Sequence, residues 1–329
     1  MSTAWANFSK DFGDYCRARA LASDGAELER LTARASVDVQ QVATRAAIEP
    51  LTTVNNPAFS GIALPFIQSL GQSSILDRLL AEDVVTRMPY TATGAAVSLI
   101  SIAGGGVGEL APKPVRSANF AAATLAHHKA ICLVVASEEW LRGVGASEAL
   151  ASEIRRALSQ ATNAVFLDAL AAVADTIPST GSTAAAIAAD LTTAVTTLGV
   201  HENSHFVAAV DPTTYAEVSL KPSSATVGPL AFEAFPTVGV VTFMASESLT
   251  NTAIVFDSAR LGVGDGGLMV DQSRHGSLQM DDAPSGASAS FSLWQRNARG
   301  IRAERLFSIA FATPDSSGSL PAVQITGAW

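Results

Sequence analysis

The chain has 329 residues, 48% of them hydrophobic and 16% charged, which excludes a disordered polyelectrolyte and leaves room for two or three packed units around a buried core. Its formal charge of -9 excludes a broad basic face that grips nucleic acid through many Lys and Arg contacts to phosphate. Two cysteines, Cys16 and Cys132, are too few and too far apart for a disulfide framework or a thiolate metal centre, so a reducing cytoplasm is the expected setting. The opening Met1-Ser2-Thr3-Ala4-Trp5-Ala6-Asn7 lacks the basic and apolar regions of a secretory signal. No stretch reaches the roughly 18 uninterrupted apolar residues of a membrane helix, and a soluble protein without a membrane partner is expected.

Residues 4 to 48 read as mostly helical, with Leu21, Leu28, Leu31, Val39 and Val42 as a narrow apolar stripe interrupted by Gly13 and Gly25. So little apolar surface is marginal without a packing partner. Two readings stay open: a helical arm lying on its own domain, and a small scaffolding or intersubunit element. Leu51 to Pro57 is rich in turn formers and reads as a linker or extended arm. Helical spacing returns from Phe66 to Leu80, carried by Phe66, Leu70, Leu76, Leu79 and Leu80.

Between Val84 and Val115 the pattern is extended. The cluster Gly104-Gly105-Gly106 with Gly108 rules out a helix, since each glycine costs roughly 1 kcal/mol against alanine there. Glu109-Leu110-Ala111-Pro112 supplies neither the Lys-Ser or Lys-Thr of a phosphate-binding P-loop nor the helix of a dinucleotide loop. A long two-stranded loop projecting from the body is the better account.

Ala121 to Ala136 is strand-like, and Ser137 is placed to cap a short turn opening with Glu138-Glu139, whose carboxylates favour a helix N-terminus. Ser147 is a candidate cap for the next helix. Leu150, Ile154, Ala157, Leu158, Ala161, Val165 and Leu170 then share one face of a helix reaching to Val173. Ile177 to Ser182 closes that unit. Ala184 to Leu198 is a second Ala-rich helix, followed by strands at Phe206–Val210, Val238–Phe243 and Ala253–Asp257 and a helix start at Asp211-Pro212. This order implies a compact α/β module.

Catalytic candidates are weak. His127 and His128 are neighbours on a strand and point to opposite faces. His201 and His205 have helical ligand spacing, but Gly199 and the strand at Phe206 remove the helix, and no Glu-Xaa-Xaa-His pattern accompanies them. Ser273-Arg274-His275 with Asp281-Asp282 lacks a nucleophile elbow. Asp265-Gly266-Gly267 lacks the ligand pattern of a calcium loop. A turn in a surface loop accounts for these residues. No catalytic, metal or cofactor site is expected.

The order of these parts resembles the major capsid protein of tailed bacteriophages, the HK97-fold family, over residues 60 to 314. Phe66–Leu80 resembles the helix leading into that family's extended E-loop. Residues 86–118 resemble the E-loop, with Glu109-Leu110-Ala111-Pro112-Lys113-Pro114 near its return. Ser137-Glu138-Glu139-Trp140-Leu141-Arg142 resembles the turn before the spine helix, and Ser147–Val173 the spine helix. Residues 183–262 resemble the axial domain. Phe291–Pro314, with Phe291-Ser292-Leu293-Trp294-Gln295 and Ile301-Arg302-Ala303-Glu304-Arg305-Leu306, resembles the final strands.

The resemblance implies an α+β, HK97-like capsid fold. Its divisions are a helical N-terminal segment and N-arm (1–60), a helix leading to the E-loop (61–85), the E-loop (86–118), a peripheral domain with spine helix (119–182), an axial domain (183–262), and return strands with a C-terminal tail (263–329). It also implies a subunit that assembles with itself into hexamers and pentamers of an icosahedral shell in the virion, built in the host cytoplasm. Gly104, Gly105, Gly106, Glu109 and Lys113 are then intersubunit contacts, and Leu150, Ile154, Leu158 and Val165 the spine-helix face.

Portal protein is an implied partner, and a scaffolding protein, a maturation protease and a decoration protein are candidates. Packaged double-stranded DNA, bound without sequence specificity, is also implied, and a container needs no basic face because its inner wall must tolerate the polymer without adhering to it. Shell expansion implies movement at the spine helix and E-loop hinge. Some members join subunits through a lysine–asparagine isopeptide bond. Lys113 matches the lysine, but Asn297 lies one residue from the acceptor position and Ala303, beside Glu304, stands where the assisting glutamate is expected, so no cross-link is expected. A cellular encapsulin shell around enzyme cargo, and an α/β hydrolase-type enzyme, are the alternatives.

Overall fold

The computed structural model describes residues 2–22, 25–33, 35–36, 39–40, 42, 51–52, 63, 66–67, 69–70, 74–90, 96–97, 123–124, 126–200, 204–220, 237–238, 241–279, 290–311 and 321–327. The helices are α1 (Ser2–Leu21), α2 (Gly25–Thr32), α3 (Ile75–Ala81), α4 (Glu138–Leu141), α5 (Ala146–Ala171), α6 (Ala184–Leu198) and α7 (Pro212–Leu220). The strands are β1 (Leu51–Thr52), β2 (Thr86–Pro89), β3 (Ala96–Val97), β4 (Ala123–Thr124), β5 (Ala126–Ser137), β6 (Asp175–Pro178), β7 (Phe206–Val210), β8 (Thr237–Val238), β9 (Val241–Ala245), β10 (Thr252–Asp257), β11 (Leu261–Ser273), β12 (Ser277–Gln279), β13 (Ser290–Ser292), β14 (Ala298–Phe311) and β15 (Ala322–Thr326). One sheet runs β1-β11-β14-β5, with β2 also paired to β11, and a second runs β6-β15-β10-β7-β9-β8. The chain divides into two compact units, one of residues 1–82, 129–165 and 266–306 and one of residues 83–128, 166–265 and 307–329.

In the first unit the apolar stripe read from the sequence buries Leu150, Ile154 and Leu158 of α5. Burying each such side chain contributes about 1.5–3 kcal/mol. The helix begins at Ala146, so Ser147 lies inside its first turn rather than at the cap, and it ends at Ala171 rather than Val173. The expected continuous helix from Phe66 to Leu80 is broken: Ser74 has extended backbone and its hydroxyl accepts the Asp77 amide, which starts α3 afresh. The Ile75 amide of that new terminus donates to Asn163 Oδ1 of α5 at 2.8 Å. Asp77 then reaches Arg305 of β14, a guanidinium with no solvent exposure.

The second unit has its core between α6 and the six-stranded sheet. Ile187, Leu191, Ala194 and Leu198, spaced by three and four, bury one face of α6 against Phe206, Ala208, Phe243, Val255, Val323 and Ile325. The opposite face carries Thr192, Thr193, Thr196 and Thr197, whose hydroxyls return to carbonyls four residues back. Strand β7 is buried at every position, as its uninterrupted apolar run requires of a strand covered on both faces. It pairs parallel with β9 and antiparallel with β10.

Three expectations are corrected by pairing over long sequence distances. Ile177-Pro178 does not simply close a helical unit, because residues 175–178 form β6, parallel to β15. The end of the 263–329 segment, expected as a C-terminal tail, carries a strand: β15 lies between β6 and β10, with Ala322, Val323 and Ile325 buried. Asp265-Gly266-Gly267 lies within β11 rather than a surface loop, where Asp265 pairs with Pro89. The strand expected from Val238 to Phe243 is the antiparallel pair β8 and β9, with Val238 opposite Val241.

Candidate assembly surfaces

Gly104, Gly105, Gly106, Glu109 and Lys113 lie outside the described residues, as do His201, Asp281 and Asp282. The root of the predicted loop is described. On one side β2 runs parallel to β11 with Gly262 opposite Thr86 and Gly264 opposite Met88. A side chain at Gly262 would run into Met88, and one at Gly264 into Ser308, so both glycines permit this close approach. On the other side His127 and His128 open β5 and point apart, as strand geometry demands. His127 meets Tyr90 edge-on with ring centroids 5.0 Å apart, and His128 stacks on Phe307 at 5.7 Å. Burial, then the neighbouring His127, lowers the His128 pKa, which keeps the ring neutral against its aromatic partner.

Leu150, Ile154 and Leu158 are buried in their own unit, and Val165 is partly buried, so this stripe holds α5 in place rather than presenting a contact surface. Cys132, opposite α5, is driven up to about 11 by burial and by the Glu153 carboxylate, which makes it a poor nucleophile. His205 is held by structure: its amide donates to Asp257 Oδ1 at 2.9 Å and its Nδ1 lies 3.0 Å from Ser258 Oγ. Ser273 accepts the Gly276 amide at 3.2 Å and closes a turn. Among the described residues no group of three or more His, Cys, Asp or Glu is placed to hold a metal ion. No described helix is long and apolar enough to cross a membrane.

Two exposed tryptophans were not singled out as contacts by the sequence. Trp140 on α4 is 44% exposed and Trp294 on the turn before β14 is 73% exposed. Their turns are joined: the Glu138 amide donates to the Asn297 carbonyl at 3.0 Å, and Arg299 pairs with the Glu138 carboxylate at 2.9 Å. Asn297 has φ 48, a conformation asparagine tolerates, and turns the chain into β14. Nearby in sequence, Ile131 and Leu133 on β5 are about half exposed (48% and 50%), at the edge of the sheet order. A strand edge with apolar side chains favours pairing or covering by another chain. The signal available in the sequence was tryptophan within short polar turns, where burial in the chain's own core is not to be expected.

Glu304, placed beside the position expected to assist isopeptide chemistry, is nearly fully buried. It lies 3.3 Å from Lys129 Nζ and 3.2 Å from Arg302 Nη1. Arg302 in turn reaches Asp271 at 3.4 Å. This chain of charges spans β5, β14 and β11 and occupies Glu304 with two cations.

No protein-family model matches the chain. The chain is 27% identical over 313 aligned residues to a capsid polyprotein of Pseudomonas phage PAJU2, an alignment covering 81% of this chain and 45% of that protein, so it spans less than half of the relative's length. Among solved structures, a chain of Gordonia phage Cozz is 15% identical, with 90% of this chain and 96% of that one covered and a TM-score of 0.46. A capsid of an empty GTA particle is 12% identical over 78% and 90%, with a TM-score of 0.47. A virus-like particle from Pyrococcus furiosus is 14% identical over 79% and 95%, with a TM-score of 0.43. The sequence match to a phage capsid polyprotein bears out the resemblance to phage capsid proteins drawn from the residues.

Proposed function

We propose that this chain is a structural subunit, not an enzyme, that assembles with copies of itself into the shell of a phage head. The observation that carries this reading is the match to a phage capsid polyprotein over four fifths of the chain. Exposed Trp140 and Trp294 and the half-exposed Ile131 and Leu133 support it, because aromatic and apolar anchors on a surface are what association buries. In this reading residues 86–118 reach onto a neighbouring copy, with Gly104–Gly106, Glu109 and Lys113 in the contact, and α5 is the rigid spine. Hexamers and pentamers, the portal, a scaffold or protease, packaged DNA and a place in the virion belong to the same proposal. Glu304 is held by Lys129 and Arg302, and no isopeptide bond forms.

Isotope-mixed cross-linking tests the reading. Equal amounts of heavy- and light-nitrogen protein are mixed as dissociated chains, assembled, cross-linked at lysine and digested. Lys113 is expected in heavy–light pairs, which arise only between copies. Lys113 cross-links confined to heavy–heavy and light–light pairs would contradict the proposal.

A further inference from the structure

Helix α1 is seated on its own unit by contacts that an arm laid loosely over a surface does not make. Phe12 stacks on Phe66 with centroids 3.9 Å apart, and Phe12, Tyr15, Cys16 and Ala20 are buried at the three- and four-residue spacing of one helix face. Gly13 lies so close to the first turn of α5 that any side chain there would meet the Ser147 carbonyl. Arg17 donates from Nε to the Leu141 carbonyl at 2.5 Å and from Nη2 to the Arg142 carbonyl at 3.4 Å. It thereby brings a cation to the C-terminal carbonyls of α4, which have no acceptor role left inside that helix. Helix α2 adds buried Leu28 and Thr32, the latter donating to the Leu28 carbonyl at 2.9 Å. Of the two readings left open by the sequence, these contacts favour the arm on its own domain.

We propose that α1 and α2 form a retained clip on the head of α5, which stays bound without a covalent link when the chain is cut between the clip and α3. The proposal rests on the capsid reading for its meaning: a processing cut in that interval leaves the helices in the shell wall instead of releasing them as discarded scaffold. The grip comes from buried shape, chiefly Phe12, Gly13 and Tyr15, and from Arg17 across the α4 carbonyls.

The test inserts the recognition sequence of a site-specific protease between Asn55 and Asn56 of the full chain, cuts it, and passes it through gel filtration in native buffer. The N-terminal piece is expected to co-elute one-to-one with the remainder. In the same background Phe12→Ala should speed its loss by at least about tenfold, as expected for a large buried ring removed from a packed site. Separation of the unsubstituted pieces during the run would overturn the proposal, as would equal retention in Phe12→Ala and Arg17→Gln. Hydrogen exchange on the uncut chain gives an independent reading. Amides from Phe12 to Leu21 should exchange as slowly as those from Ala151 to Leu167, and exchange at unprotected rates would refute the clip. Each readout concerns binding within one chain, so failure here is distinct from failure to build a shell.

Discussion

The ion pair of Asp77 and Arg305 is the most consequential pair of single residues in the first unit. Both side chains are removed from water, and the guanidinium is the largest fully buried side chain among the described residues. Removing one partner strands the other charge, which costs about 3–5 kcal/mol, whereas replacing both with apolar groups of similar volume is close to neutral. Asp77→Ala is therefore expected to lower the urea midpoint sharply, and the double variant Asp77→Leu with Arg305→Met to restore most of it. A single variant as stable as the parent would contradict this account. The pair also marks a limit of sequence reading. Asp77 and Arg78 look like the polar side of a helix, and the partner of Asp77 lies 228 residues away. The break at Ser74 did have a local signal, a serine followed three residues later by Asp77, but the apolar spacing on both sides of it continues a helical pattern and masks the cap.

Among elements, those defined by local spacing were legible. Helix α6 and strand β7 have the bounds read from their residues, because four apolar positions on one face, and five in an uninterrupted run, leave no competing placement. Elements defined by partners were not: β6 and β15 are four and five residues long and gain their identity from one another. Helix α7 shows how a local signal fixes an element's start. Asp211 accepts the amides of Thr213 and Thr214 at 2.9 and 3.0 Å and the Thr214 hydroxyl at 2.7 Å. Burial pushes its pKa up, but the bonds from Thr214 and Thr213 outweigh it and leave the carboxyl below its ordinary value. A carboxyl lowered in the folded state stabilises above its unfolded pKa of about 3.9, and that contribution fades as pH falls through the folded value. Asp211→Ala should cost about 1 kcal/mol near neutral pH, the usual value of such a cap. Urea denaturation repeated from about pH 7 down to 3 should show the gap to the parent narrowing only at the acid end. A gap that stays constant with pH would show that the carboxylate charge does not hold this helix.

At the scale of the whole chain, the acidic balance argued against a basic nucleic-acid face, and it was the resemblance carried by the order of parts that implied an assembling subunit. The candidate site residues, spine-helix face and intersubunit contacts alike, divide along the same physical line. Spine-face residues Leu150, Ile154 and Leu158 were legible because a helix face is a local pattern, and they are core. Trp140 and Trp294 were not read as contacts, because exposure depends on what the rest of the fold leaves uncovered. Gly104–Gly106, Glu109 and Lys113 fall outside the described residues, and their role rests on the resemblance. A surface that carries exposed tryptophans and an apolar strand edge gains free energy by association, since buried apolar area contributes about 25 cal/mol per Å² before the costs of ordering. Electron microscopy of the purified chain, expressed alone and with light scattering on the same sample, tests this most directly. The account predicts closed shells or free hexamers and pentamers. A monodisperse monomer or dimer at every protein and salt concentration would contradict it.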